Sequence, residues 1–360
     1  MSGWMFLPKI KGYRARESVA DKFFSNECID SDIHAFVREG GQNSLDAHDD
    51  STDMPVEIRV SLGSHESASS VMKKYITDDA WSHFAAEDSG LNQIVNKNSE
   101  CRYLVFEDFN TTGLVGDVTK DSGSLGKSFY YFMRAEGISG KDEGDRGRHG
   151  IGKLAFHKMS AVRTFLMATV RSDDKRCLIA GQCVLKSHTV DEKNYTPDGW
   201  WGEHDSSDNN YFQLPFESEN LFGQIKKDFG LSRVLGEPGL SIVMPYIESN
   251  VSIKNISEYF IQEFFLPILK GQLIVRISEG SSALVLDSES LRRDLGESVF
   301  SGDWLSDIQP YLNLAIRAVD NENIATINLQ LPKEPSKPNL ENLIKEKDFA
   351  KQISKRLAKE

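Results

Sequence analysis

The chain has 360 residues, with 42 Lys and Arg against 54 Asp and Glu for a formal net charge of −12, and 39% of it is hydrophobic. That length suggests about two or three domains with ample core, which excludes a disulfide-stapled miniprotein and a disordered tail. The acidic balance disfavours a protein that coats nucleic acid over its whole surface and leaves room only for a local basic face. Cysteines 28, 101, 177 and 183 form no CxxC pair, which points to a reducing, cytoplasmic setting. No apolar run approaches the roughly 18 residues of a membrane helix, and Met1–Ile10 is too interrupted for a secretory signal, so a soluble protein is expected.

In chain order, residues 1–30 read as an irregular arm. A helix follows, capped by Ser31 or Asp32, with Ile33, Phe36, Val37, Gly40, Ser44 and Ala47 on one side at 3.6-residue spacing. Val56, Ile58, Val60 and Leu62 alternate with polar residues as a strand does. Residues 63–100, rich in Ser, Asp, Asn and Ala, read as an exposed insertion, and Arg102–Glu107 as a short apolar strand. Glycine and charge dominate 115–153, around an aromatic patch at 129–132, and a long connection of this kind is usually functional. Strands are expected at 162–170, 177–185 and 239–246, with a polar loop at 191–213 carrying Trp200 and Trp201, and a helix near 217–229. A second unit over 248–331 opens with a helix at 256–269 and continues with strands near 273–277 and 283–286. LPKEPSKP at 331–338 is a linker, and Leu340, Leu343, Ile344, Ile353 and Leu357 suggest a terminal amphipathic helix within 332–360.

Three segments carry chemistry. On the first helix, Glu39, Asn43 and Asp46 stand at i, i+4 and i+7, within about 60° of one another beside the apolar face, where they would line a crevice. A carboxylate there can serve as general base towards water, and an Asn one turn later can ligate a hard cation such as Mg²⁺; the alternative is an ordinary polar flank. In EDFNTTGL, Asp108 ends an apolar strand and can accept from the exocyclic amine of adenine, with Asn110 and Gly113 in the turn; a plain strand-ending turn has the same composition. In GDRGRHGIGK, Gly147, Gly150 and Gly152 open a helix and can present N–H groups to phosphate, with His149, Ile151 and Lys153 among them. Gly147 to Lys153 fit a P-loop spacing, but Leu154 stands where Ser or Thr must hold Mg²⁺ and no buried strand precedes it.

In this order, the ExxxNxxDA helix, the strand ending in Asp108 and the glycine lid resemble the Bergerat-fold ATPases: gyrase B, the ninety-kilodalton heat-shock chaperones, sensor histidine kinases and MutL. The resemblance spans residues 30–245. It implies an α/β sandwich, a mixed sheet covered by helices on one face, over residues 31–247, followed by a smaller α/β transducer-like domain. It implies ATP and Mg²⁺, with Glu39 as base, Asn43 as metal ligand, Asp108 as adenine reader and Gly147, Gly150 and Gly152 as a phosphate cradle inside a closing lid, 115–153. The family's turn glycine falls near Asn110, and the hydroxyl that supports the adenine-binding Asp falls at Leu240, which has none; Ser241 supplies it if the register shifts.

The resemblance also implies an ATPase that dimerises on binding ATP. Its expected role is the energy-coupling subunit of a nucleic-acid-directed or anti-phage defence complex, or else a chaperone-like scaffold that binds protein and not DNA. The tail from Lys333 to Glu360, with eight Lys and Arg against five Asp and Glu, is the candidate contact for a protein partner or DNA.

Overall fold

The computed structural model describes residues 2–12, 31–66, 68–92, 95–120, 128–135, 154–205, 212–293, 295, 300 and 302–320. Contacts group Met1–Ile308 into one compact unit and Gln309–Glu360 into a second; of the second, residues 309–320 are described and belong to a helix, Gly302–Asp320. The linker and terminal helix expected at 332–360 lie outside the described residues, as do residues 13–30 of the arm and 321–331.

The first unit is built on one mixed sheet. Its strands are β1 (Ser2–Pro8), β2 (Val56–His65), β3 (Cys101–Phe109), β4 (Thr164–Val170), β5 (Cys177–Val184), β6 (His188–Val190), β7 (Lys193–His204), β8 (Gln213–Leu214), β9 (Gly239–Pro245), β10 (Leu273–Glu279) and β11 (Ser282–Leu286). The order is β1-β7-β5-β4-β9-β3-β2-β10-β11, with β6 and β8 on β7. β10 lies parallel to β2, and β3 is antiparallel to both β2 and β9.

Helices cover both faces. α1 (Asp32–Asp46), α5 (Leu154–Lys158) and α7 (Ile253–Leu269) lie on the face that receives Phe106, whose ring meets Phe36 of α1 and Phe156 of α5. Val105 points the other way, as strand alternation requires, into a core closed by α3 (Asp78–Phe84), α6 (Glu219–Phe229) and Trp4, Phe6, Tyr75 and Trp201. The short helices α2 (Ala68–Val71) and α4 (Ser128–Met133) complete the unit before the helix at Gly302–Asp320, labelled α8. Among the described residues no helix is long and apolar enough to cross a membrane.

Several segments differ from the sequence reading. The arm begins as β1, paired with β7, and the Trp4 indole N–H donates to the Tyr75 carbonyl at 2.6 Å. Residues 193–204, read as part of a polar loop, are a strand held between β1 and β5; pairing on both sides overrides a composition that includes Pro197, Gly199 and Gly202. Within 63–100, read as an exposed insertion because helices this short reveal no period in sequence, Met72, Tyr75, Ile76, Ala80 and Phe84 are buried. The chain also does not part near residue 248. Residues 273–286 extend the same sheet, with Val275 opposite Ile58, and α7 buries Ile256, Phe260, Ile261, Phe264 and Ile268 as it packs on α1 and β10.

Candidate functional site

The site begins with how α1 is held. The Ser31 side chain accepts the His34 N–H at 3.1 Å as N-cap, satisfying an amide the helix cannot. The His34 imidazole stacks on Tyr259 at 4.6 Å, and its Nε2 lies 2.8 Å from Glu263 Oε1, so two side chains of α7 fix the start of α1. That hydrogen bond is the main cause holding the Glu263 carboxyl below the usual range. The expected apolar side, with Phe36, Gly40 and Ser44, is buried. Glu39 is half-buried beside it, and Asn43 and Asp46 are exposed.

Asp108, next to last in β3, is 5% exposed and faces α1. Its Oδ1 accepts the Leu240 N–H at 2.8 Å and the Thr111 hydroxyl at 2.6 Å, and its Oδ2 accepts the Ser44 hydroxyl at 3.2 Å. The helix that carries Glu39 and Asn43 is thereby tied directly to the buried carboxylate. Oδ1 is saturated, while Oδ2 keeps capacity for one more donor.

The turn after Asp108 explains its composition. Asn110 has φ of +60°, a left-handed conformation that Asn tolerates and a glycine adopts freely. Its carboxamide donates to the Pro55 carbonyl at 2.7 Å and its own carbonyl accepts from Asp49 N–H, so it fastens the turn to the loop after α1. Gly113, φ +66°, sits where a Cβ would lie 2.3 Å from the Val170 carbonyl oxygen. Its missing side chain therefore makes room for β4.

Ser241 does not serve Asp108. It stands opposite Glu107 in the β3–β9 register, one residue earlier, so its side chain lies on the other face, and its hydroxyl donates to Glu107 Oε1 at 2.8 Å. A hydroxyl reaches Asp108 from Thr111 instead, and Leu240 contributes its backbone N–H. Behind this face lies Arg233, fully buried. Burial pushes its guanidinium pKa down, opposed by the charges of Asp108 and Glu107. Glu107 accepts the N–H groups of Ser232 and Arg233 at 2.7 and 3.2 Å. The guanidinium carbons of Arg59 and Arg233 sit 4.2 and 4.5 Å from the centre of the Phe109 ring, a cation–π arrangement.

Gly147, His149, Gly150, Ile151, Gly152 and Lys153 lie outside the described residues. Of the expected lid, 115–120 and 128–135 are described, and Phe129 and Met133 are buried. Trp201 packs in the core against Tyr75 and Phe216. Sequence reasoning did not single out Ser44, Thr111, Arg233 or Glu107 as site residues. Ser44 left a signal, a hydroxyl on the buried side of a helix; Arg233 left none, because the end of β3 that it meets is 125 positions away.

Neither a protein-family model nor a curated protein sequence matches the chain. Solved structures do. The topoisomerase IV ATP-binding domain of Francisella tularensis, in complex with a small-molecule inhibitor, aligns at TM-score 0.34 and 10% identity, covering 86% of this chain and 59% of that one. The ATPase region of Saccharomyces cerevisiae topoisomerase II aligns at 0.30 and 8% identity when bound to ICRF-187, covering 70% and 50%. A further structure of that region aligns at 0.28 and 8% identity, covering 77% and 53%. The chain thus spans between half and three-fifths of the proteins it matches.

Proposed function

We propose that this chain binds ATP at Asp108 and hydrolyses it with Glu39 as general base. The observation that supports the reading is the hydrogen bond from Ser44 to Asp108, which ties this carboxylate to the helix that carries Glu39 and Asn43. Asp108 Oδ2 accepts the exocyclic amine of adenine, and the base is thereby oriented with its phosphates towards the flank of α1. Leu240 has no side-chain donor for Asp108, and the Thr111 hydroxyl supplies one.

Asn43 offers one exposed carboxamide, a donor set that suits Mg²⁺ bound mainly by phosphate oxygens and water. Mg²⁺ supplies positive charge to the phosphate oxygens when bound. Glu39 orients the attacking water and takes its proton, four residues before Asn43 on the same flank, while Gly147, Gly150, Gly152 and Lys153 cradle the phosphates. Positioning and electrostatics account for most of the rate enhancement in such transfers.

Phosphate release and nucleotide binding, measured side by side on Glu39→Ala, test the reading. Loss of a general base predicts a fall in turnover of about 10²-fold or more with ATP affinity kept. Unchanged phosphate release would show that Glu39 is not the base.

A further inference from the structure

Glu107 and Ser241 are the last register pair between β3 and β9; the next residues outward are Asp108 and Leu240. There the ladder gives way to Arg233. Its Nη2 donates to the carbonyls of Asp108 and Leu240, the latter at 3.0 Å. Its Nη1 donates to the carbonyls of Glu237 and Pro238 at 3.2 and 2.8 Å, and its Nε to the Ser241 hydroxyl at 2.8 Å, which in turn donates to Glu107. Every donor of the guanidinium is used, four of them on main-chain oxygens around the strand ends. Gly239 confirms how closely this is fitted: at φ +134°, a Cβ there would lie 2.4 Å from the Asp108 carbonyl oxygen and 2.6 Å from Arg233 Nη1.

We infer that Arg233 is a positioning residue for adenine recognition. It occupies both carbonyls where β3 and β9 end, so that the Leu240 N–H turns to the Asp108 carboxylate and fixes its orientation. The inference rests on the reading of Asp108 as the adenine acceptor and names the residue that sets its geometry without touching the nucleotide. A lysine, a point charge on a flexible stem, can reach one or two of these oxygens but cannot span the fork.

The test compares two ligands on the full chain by calorimetry: ATP and purine riboside triphosphate, which lacks the 6-amino group that Asp108 would accept. Asp108→Asn is the control for the underlying reading and should erase the preference of the wild type for ATP; a wild type with no such preference sinks that reading itself. Arg233→Lys should weaken ATP by about tenfold, the equivalent of one well-made hydrogen bond, and leave the analogue within about twofold. A merely structural role would weaken both ligands together. Equal losses, or no loss for ATP while Asp108→Asn erases the preference, overturn the inference. Should Arg233→Lys fail to fold, Ser241→Ala removes the partner of Nε while sparing Asp108. It should show the same selective loss at about threefold, and parallel or absent changes there overturn the inference equally.

Discussion

Two buried polar clusters hold distant parts of the first unit together, and they do so by opposite means. Around Arg233 a full charge is kept in the interior, because each of its donors meets an oxygen. In the other cluster, His83 of α3 and His188 of β6 meet Nδ1 to Nε2 at 2.7 Å, and charge is kept out. His188 Nδ1 lies 2.8 Å from the Lys186 carbonyl, which can only accept, so Nδ1 carries the proton, Nε2 accepts, and His83 Nδ1 donates. Phe6 of β1 stacks on His83 at 3.7 Å, and Tyr195 of β7 meets its edge. Burial, with His188 beside it, pushes His83 down to about 4; burial lowers His188 as well, opposed by its hydrogen bond to the Lys186 carbonyl and by Asp88. An arginine keeps its charge across ordinary pH, whereas a histidine pair is sound only while neutral. The candidate site is thus built on the cluster that pH leaves alone, and the attachment of the N-terminal strand on the one it can undo.

Breaking the charged cluster should have the largest effect. Arg233→Met leaves Glu107 and four carbonyls facing an apolar side chain, and removal of one member of a buried ionic network costs about 3–5 kcal/mol. Urea unfolding at neutral pH measures it. A loss under about 1 kcal/mol would mean that water replaces the guanidinium and that the cluster is no frame at all.

Acid should separate the two clusters. A histidine whose folded pKa lies below its unfolded value of 6.5 binds more protons when unfolded, so its contribution is complete above about 6.5 and is lost as pH falls towards about 4. Unfolding midpoints across that window should fall. His83→Phe keeps the stack on Phe6 and should flatten the fall by about 1–2 kcal/mol, after an initial cost of about 1 kcal/mol at pH 7 for the hydrogen bond lost to His188. The carboxylates of Asp79 and Asp88 near the pair temper the effect, and an unchanged slope would place the acid sensitivity elsewhere.

What could be read from sequence follows from range. The α1 pattern, the alternation in β2 and the acidic end of β3 are local, and each lies where its periodicity suggested. β7 was hidden because a strand with partners on both sides needs no pattern of its own, and β10, expected as a strand, was assigned to a second unit because its partner in this sheet, β2, lies more than two hundred residues upstream. The same division runs through the site. Asp108 announces itself at the end of an apolar run, while the groups that hold it arrive from α1, from the turn and from residues 233–240, which only the fold brings together.

The smallest expected effect concerns the turn. Among the bonds to the Asp108 carboxylate, the one from Thr111 is the shortest, from a side chain three residues away. Thr111→Val keeps the shape and removes the donor, leaving the carboxylate with Leu240 and Ser44. Removing one such bond should cost about 1 kcal/mol and weaken ATP about fivefold. If the hydroxyl in this turn truly replaces the one absent at Leu240, then Leu240→Thr placed on Thr111→Val should recover part of the affinity, because a hydroxyl returns beside the same carboxylate. Recovery absent in the double variant, with the single variant weakened, would mean that Thr111 acts by shaping the turn between Asp108 and Gly113 rather than by donating to the carboxylate.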